Sequence, residues 1–187
     1  HTIALPEFFN ILGRRMAEAP RIFGPAGITE FVENAKKLII VNGFDGVPES
    51  LQKIHGEEIE IGETYEVAGF KADAIEVPHA PFIQALSWRF RSDDRTVVVS
   101  GDLASDETFM APFASDADLL VHEAYTNEAL DRMLASLVRT EQRERMKSAF
   151  TPAHSELSVV AKVAEKARSK RLALTALLPT EDEVAMV

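Results

Sequence analysis

The sequence predicts a layered α/β protein with mixed sheets. Three features carry that reading. Helical periodicity opens the chain, a meander of short strands fills its middle, and strands alternate with helices toward its end. The 187 residues, 46% hydrophobic and 27% charged, suit one substantial core, and no repeat or low-complexity linker interrupts them. A single domain over 1–187 is expected.

The elements follow in order. Residues 3–16 place Leu5, Phe8, Phe9, Leu12 and Met16 at helical spacing. Residues 20–25 read as a strand ending in a Gly-Pro turn, and Gly27 and Thr29 open a helix running to about Leu38. Asn42-Gly43 and Asp45-Gly46 mark turns. Strands are expected at 58–61, 65–70, 72–77 and 83–90. The continuous apolar runs 96–100 and 119–122 suit strands covered on both faces. One amphipathic helix is expected over 127–146, and another over 155–168 with Ser155 as its cap. A last strand spans 171–178.

Charge and composition exclude several functions. A net charge of −10 argues against a dedicated nucleic-acid binder, which needs a basic face for phosphates. With no cysteine there is no disulfide framework and no thiolate metal site, so His, Asp or Glu must hold any metal. No apolar run approaches the roughly 18 residues of a membrane span. Cytoplasm and periplasm both remain open as compartments.

The chain has five histidines. His79 follows a predicted strand in Val-Pro-His-Ala, Asp102 follows the strand Val97–Val99, His122-Glu123 ends Leu119–Val121, and His154 precedes a helix. Side chains at strand ends converge readily, and imidazoles with carboxylates are ordinary ligands of catalytic zinc. Each signal alone is weak, because Asp in Ser-Gly-Asp also suits a turn. His55, beside Gly56 in a charged stretch, reads as solvated and takes no role. Trp88 reads as core.

Taken in order, Val77-Pro78-His79, Ser100-Gly101-Asp102, Leu120-Val121-His122-Glu123-Ala124 and Ala153-His154-Ser155 resemble the metallo-β-lactamase superfamily. They look most like its ribonuclease Z and arylsulfatase-like branch. His1-Thr2 before Leu5-Pro6 resembles the tail of the family's His-x-His-x-Asp-His signature, and Phe23–Gly27 its next strand and turn. The resemblance implies a metallo-β-lactamase-like αββα sandwich, of which this chain is the C-terminal two-thirds. It also implies two zinc ions, with manganese or iron as substitutes. His1 and His79 are then metal ligands and Asp102 bridges the ions. Glu123 and His154 form a pair beside them, in which His154 protonates the leaving group. His122 takes a structural role.

Two departures stand out. The first two His and the Asp of the signature are missing, since the chain starts at the signature's last His, and Ala176 occupies the place of a further His ligand. The implied activity is metal-dependent hydrolysis, in which a metal-bound hydroxide attacks a small ester-like or phosphodiester substrate, impaired here by Ala176. The alternatives are a non-catalytic binding or assembly module and, more weakly, a ribonuclease Z-type nuclease. Only Arg91–Arg95 separates Phe90 from the next strand, leaving no room there for a tRNA-gripping arm. The helix expected over 127–146 is a candidate pocket cover or homodimer contact, with core packing the plainer reading.

Overall fold

The computed structural model describes residues 8–9, 20–39, 49–80, 84–137 and 139–178. The reading at 3–16 lies outside these except for Phe8 and Phe9, which are helical, Phe9 fully buried. The turns at 42–46 also lie outside them. Among the described residues no helix is long and apolar enough to cross a membrane.

The chain forms two compact units, 1–60 and 61–187. In the first, β1 (Arg21–Gly24) leads to α1 (Ile28–Ile39) and α2 (Glu49–Gln52), then to β2 (His55–Glu58), which pairs parallel with β1. Phe9, Ile28, Val32, Ala35 and Ile54 form its core. The strand expected at 58–61 lies three residues earlier, at 55–58. The reason is Gly56: a Cβ there would sit 2.7 Å from the Ile28 carbonyl oxygen, so glycine marks a strand pressed against a helix rather than a turn. His55 opens that strand with its ring exposed and bonded to the Lys53 carbonyl and the Glu57 carboxylate.

The second unit is a six-stranded sheet in sequence order: β3 (Thr64–Val67), β4 (Phe70–Val77), β5 (Ala85–Arg91), β6 (Thr96–Val99), β7 (Leu119–Tyr125) and β8 (Leu172–Leu178). Pairing is antiparallel from β3 to β6 and parallel from β6 to β8. The single strand expected at 65–70 is instead a hairpin. Ala68 and Gly69 both have positive φ (51° and 84°), the backbone of a two-residue turn that matches strand twist.

One sheet face carries the core. Val77, Val98 and Leu120 pack with Leu103, with Met110, Ala111 and Phe113 of α3 (Met110–Phe113), and with Val163 and Ala167 of α6 (Leu157–Ala167). Arg89 ties α3 to the sheet: its guanidinium binds Asp73 on the neighbouring strand, donates to the Phe113 carbonyl at 3.2 Å and lies over the Phe113 ring. The opposite face is only half-buried at Trp88, Val97, Val99 and Val121, so β6 and the start of β7 alternate, whereas β7 is buried on both faces from His122 to Tyr125. Trp88 stacks on Phe90 at 6.0 Å.

Two helix expectations need correction. The helix read over 127–146 is a pair, α4 (Asn127–Ser136) and α5 (Thr140–Phe150). Leu137 turns extended (ψ 133°), and Arg143 donates to the carbonyls of Ala135 and Leu137, capping the end of α4 from the next helix. No Gly or Pro signals this break. Ser155 does not cap α6; Glu156 does, accepting from the Ser158 amide, while the Ser155 hydroxyl is used elsewhere.

Leu120 is fully buried at the centre of the second unit's core. Leu120→Ala is expected to cost about 2–5 kcal/mol in urea unfolding, whereas Met146→Ala, on the exposed face of α5, stays within about 0.5 kcal/mol.

Candidate functional site

Topology alone gathers the site. Strands β6, β7 and β8 run parallel, and β4 runs the same way because two antiparallel pairings separate it from β6. The C-terminal ends of all four therefore open on one sheet edge, the usual place for a site in such sheets. His79 follows β4, Asp102 follows β6, Glu123 lies near the end of β7 and Ala176 lies in β8.

The turn after β6 demands glycine. Gly101 has φ 66°, and a Cβ there would meet the Leu86 carbonyl oxygen at 2.6 Å. The chain thus leaves β6 sharply and sets Asp102 on the loop 101–105, with its Oδ1 shielded from solvent.

Glu123 is fully buried and binds two loops at once. Its Oε1 accepts from the Leu103 amide at 3.3 Å and from the Ser155 amide at 2.9 Å. Its Oε2 has no hydrogen bond and faces His154 Nδ1, itself unbonded, at 3.5 Å. That is an ion-pair separation across which no hydrogen bond has closed. Catalytic contacts are often long like this until substrate arrives.

Ser155 reinforces the same junction. Its hydroxyl donates to the Leu103 carbonyl at 2.7 Å and accepts from the Ser105 amide at 2.9 Å. Ser100 holds the other side, accepting from the Glu123 amide at 3.1 Å and donating to the Gly101 carbonyl at 2.6 Å. His122 points to the opposite sheet face. Its Nδ1–H donates to the Glu123 carbonyl at 2.7 Å, and its Nε2 accepts from the Ser105 hydroxyl at 3.2 Å. Burial holds its pKa below the usual 6.5, so it is a neutral structural clamp.

His79 donates from Nδ1 to the Ala153 carbonyl at 2.7 Å. A carbonyl only accepts, so Nδ1 carries the proton and Nε2 keeps its lone pair, the tautomer a metal ligand needs. The His79 ring meets His154 edge-on, with centroids 5.2 Å apart. The structure therefore brings His79, Glu123 and His154 together and ties in the Asp102 loop through Leu103. His1 lies outside the described residues. Among those described, no three His, Asp or Glu side chains form a group able to hold a metal ion. Among the described residues the donors fit a divalent ion in kind but are too few to enclose one.

Ala176 lies in an irregularity of the sheet. Glu123 pairs with Thr175, but Tyr125 pairs with Leu178, so β8 bulges by one residue opposite Ala124. Ala176 has φ 43°, a left-handed conformation in which His and Asn are enriched and alanine is uncommon. Bulges beside active sites re-aim a side chain. Sequence reading missed Ser100, Ser105 and Phe150, and it gave Ser155 the wrong task; short polar residues flanking the His and Asp motifs were the only signal.

The fold is the metallo-β-lactamase fold. The structure is similar to the metallo-β-lactamase fold protein YhfI from Bacillus subtilis, with a TM-score of 0.64 and 17% identity over 95% of this chain and 60% of that one. The short form of human tRNase Z gives a TM-score of 0.62 and 20% identity, covering 92% of this chain and 66% of that chain. A diphosphatase of the PhnP family gives 0.56 and 16%, covering 98% and 59%. The chain thus spans about three-fifths to two-thirds of these proteins. No protein-family model matches the sequence, and no curated protein matches it.

The buried His122 makes a pH prediction. The unfolded state takes a proton near 6.5, while the folded state takes one only at lower pH. His122 therefore contributes stability that is present above about 6.5 and lost as pH falls below it, with a slope of at most about 1.4 kcal/mol per pH unit. Urea unfolding of His122→Gln is expected to flatten the wild-type decline between pH 6.5 and 5.

Proposed function

We propose that the chain carries the acid–base half of a metal-dependent hydrolase site acting on a small ester-like or phosphodiester substrate, weakened by alanine at position 176. The observation that carries this is the buried Glu123 carboxylate facing His154 Nδ1, with His79 packed edge-on against the same ring. Proteins of similar fold include a tRNase Z and a diphosphatase, and this supports the reading.

Each residue has a task. Glu123 fixes the orientation of His154 and stabilises the ring when it is charged. With Nδ1 turned to Glu123, His154 keeps Nε2 for protonating a departing oxygen. His79 Nε2 and Asp102 would hold a divalent ion, zinc by ligand type with manganese or iron as substitutes. Such an ion, when bound, supplies Lewis acidity toward the substrate and its attacking water. The acidic balance and the short β5–β6 connection favour a small substrate over nucleic acid. Ala176 and the incomplete donor set favour a second reading, a binding or assembly module that kept the scaffold.

Metal content separates the two. Elemental analysis after zinc loading is expected to show low occupancy in the wild type and higher occupancy in Ala176→His. The latter should hydrolyse bis(p-nitrophenyl) phosphate or p-nitrophenyl acetate and lose about 10²–10⁴-fold in rate with His154→Ala. If neither form holds metal and neither hydrolyses these esters, the binding-module reading replaces this one.

A further inference from the structure

The aromatic contacts around His154 have a consequence for the hairpin of α4 and α5. Helix α5 has no buried residue, and Met146 on it is exposed. Apart from Phe150, its side-chain ties to α4 are polar: Arg143 to carbonyls at the end of α4, and Lys147 to Asp131 at 3.6 Å. Phe150, its last residue, is the one α5 side chain packed into the cluster formed by Tyr125, Leu130 and Leu134.

Phe150 does more than fill that cluster. Its ring stacks on the His154 imidazole at 4.5 Å with planes 29° apart, while Tyr125 meets the Phe150 ring edge-on at 5.2 Å. Tyr125 is buried on β7, two residues beyond Glu123. The turn from Phe150 to Ser155 is closed by the Ala153 amide donating to the Phe150 carbonyl at 3.0 Å, and the Ala153 carbonyl in turn receives His79 Nδ1–H. His154 is thus held by a ring on its face, by His79 at its edge and by a carboxylate opposite Nδ1. Only the carboxylate contact is directional, and it is not closed as a hydrogen bond. Stacking therefore supplies much of what fixes the plane of the ring.

We propose that Phe150 is a positioning residue for the His154 imidazole, and that through it the α4–α5 hairpin sets the orientation of the site's proton donor. The reading of His154 as proton donor comes from the proposed function; the positioning itself rests on the ring geometry. A plain packing role predicts loss of stability when Phe150 is cut back, with His154 unchanged. A positioning role predicts a change at His154 itself.

The test is a long-range ¹H–¹⁵N spectrum of the full chain labelled on histidine nitrogen, recorded at one fixed alkaline pH, with His154→Gln to assign the signal. In the wild type, His154 is expected as a single tautomer protonated at Nδ1, with ring protons shifted upfield by the Phe150 face. Phe150→Leu should lose the upfield shift and show averaged tautomers, and Phe150→Tyr should restore both. If Phe150→Leu does not fold, Phe150→Met is read in its place against the same expectation. A folded variant without the ring that keeps the wild-type His154 tautomer overturns the proposal. A wild type with the expected His154 signature that binds no metal and cleaves no ester leaves the positioning standing and removes the hydrolase reading.

Discussion

The site is organised by one buried carboxylate. Glu123 has no exposure to water, and a buried charge costs several kcal/mol unless hydrogen bonds compensate it. Two backbone amides, from Leu103 and Ser155, supply that compensation through a single oxygen. These amides belong to the two loops that carry Asp102 and His154. The same carboxylate that requires burial therefore requires the loops to close over it. The remaining oxygen has no partner but His154. Stability and the proposed chemistry meet at one residue, and neither loop can shift without leaving a charge unsatisfied.

The surrounding polar residues make this junction specific. Ser155 and Ser100 bond to the loop backbones on either side, and His122 pins Ser105 from the opposite face of the same strand. The adjacent pair His122-Glu123 thus fastens the Asp102 loop from both sides of the sheet, as strand alternation dictates. At position 176 the bulge and the left-handed backbone, which can re-aim a side chain, carry alanine.

The fold was legible in the sequence wherever a pattern had one meaning. The apolar runs of β6, β7 and β8 and the periodicity of α1 and α6 lie within a few residues of where the sequence placed them. The motifs also led to the sheet edge where His79, Glu123 and His154 meet. What escaped depended on tertiary context. The sequence places the strand at 55–58 three residues late because nothing local shows a helix pressing on Gly56. The break between α4 and α5 rests on Arg143 reaching back to carbonyls, which no local signal announces. Ser155 before a helix has the look of a cap, yet its hydroxyl is drawn to Leu103 fifty-two residues away in sequence. Phe150 reads as the end of a charged helix, and its stack on His154 exists only once the turn between them has formed.

Amide hydrogen exchange at Leu103 and Ser155, in the wild type and in Glu123→Gln, tests the central claim most directly. A neutral amide accepts more weakly than a carboxylate, by roughly 1 kcal/mol or more per bond. If Glu123 joins the two loops, the substitution speeds exchange at both amides together, by comparable factors of about 10. Acceleration at only one amide, or at neither, would contradict the account, because the loops would then be held independently of the carboxylate.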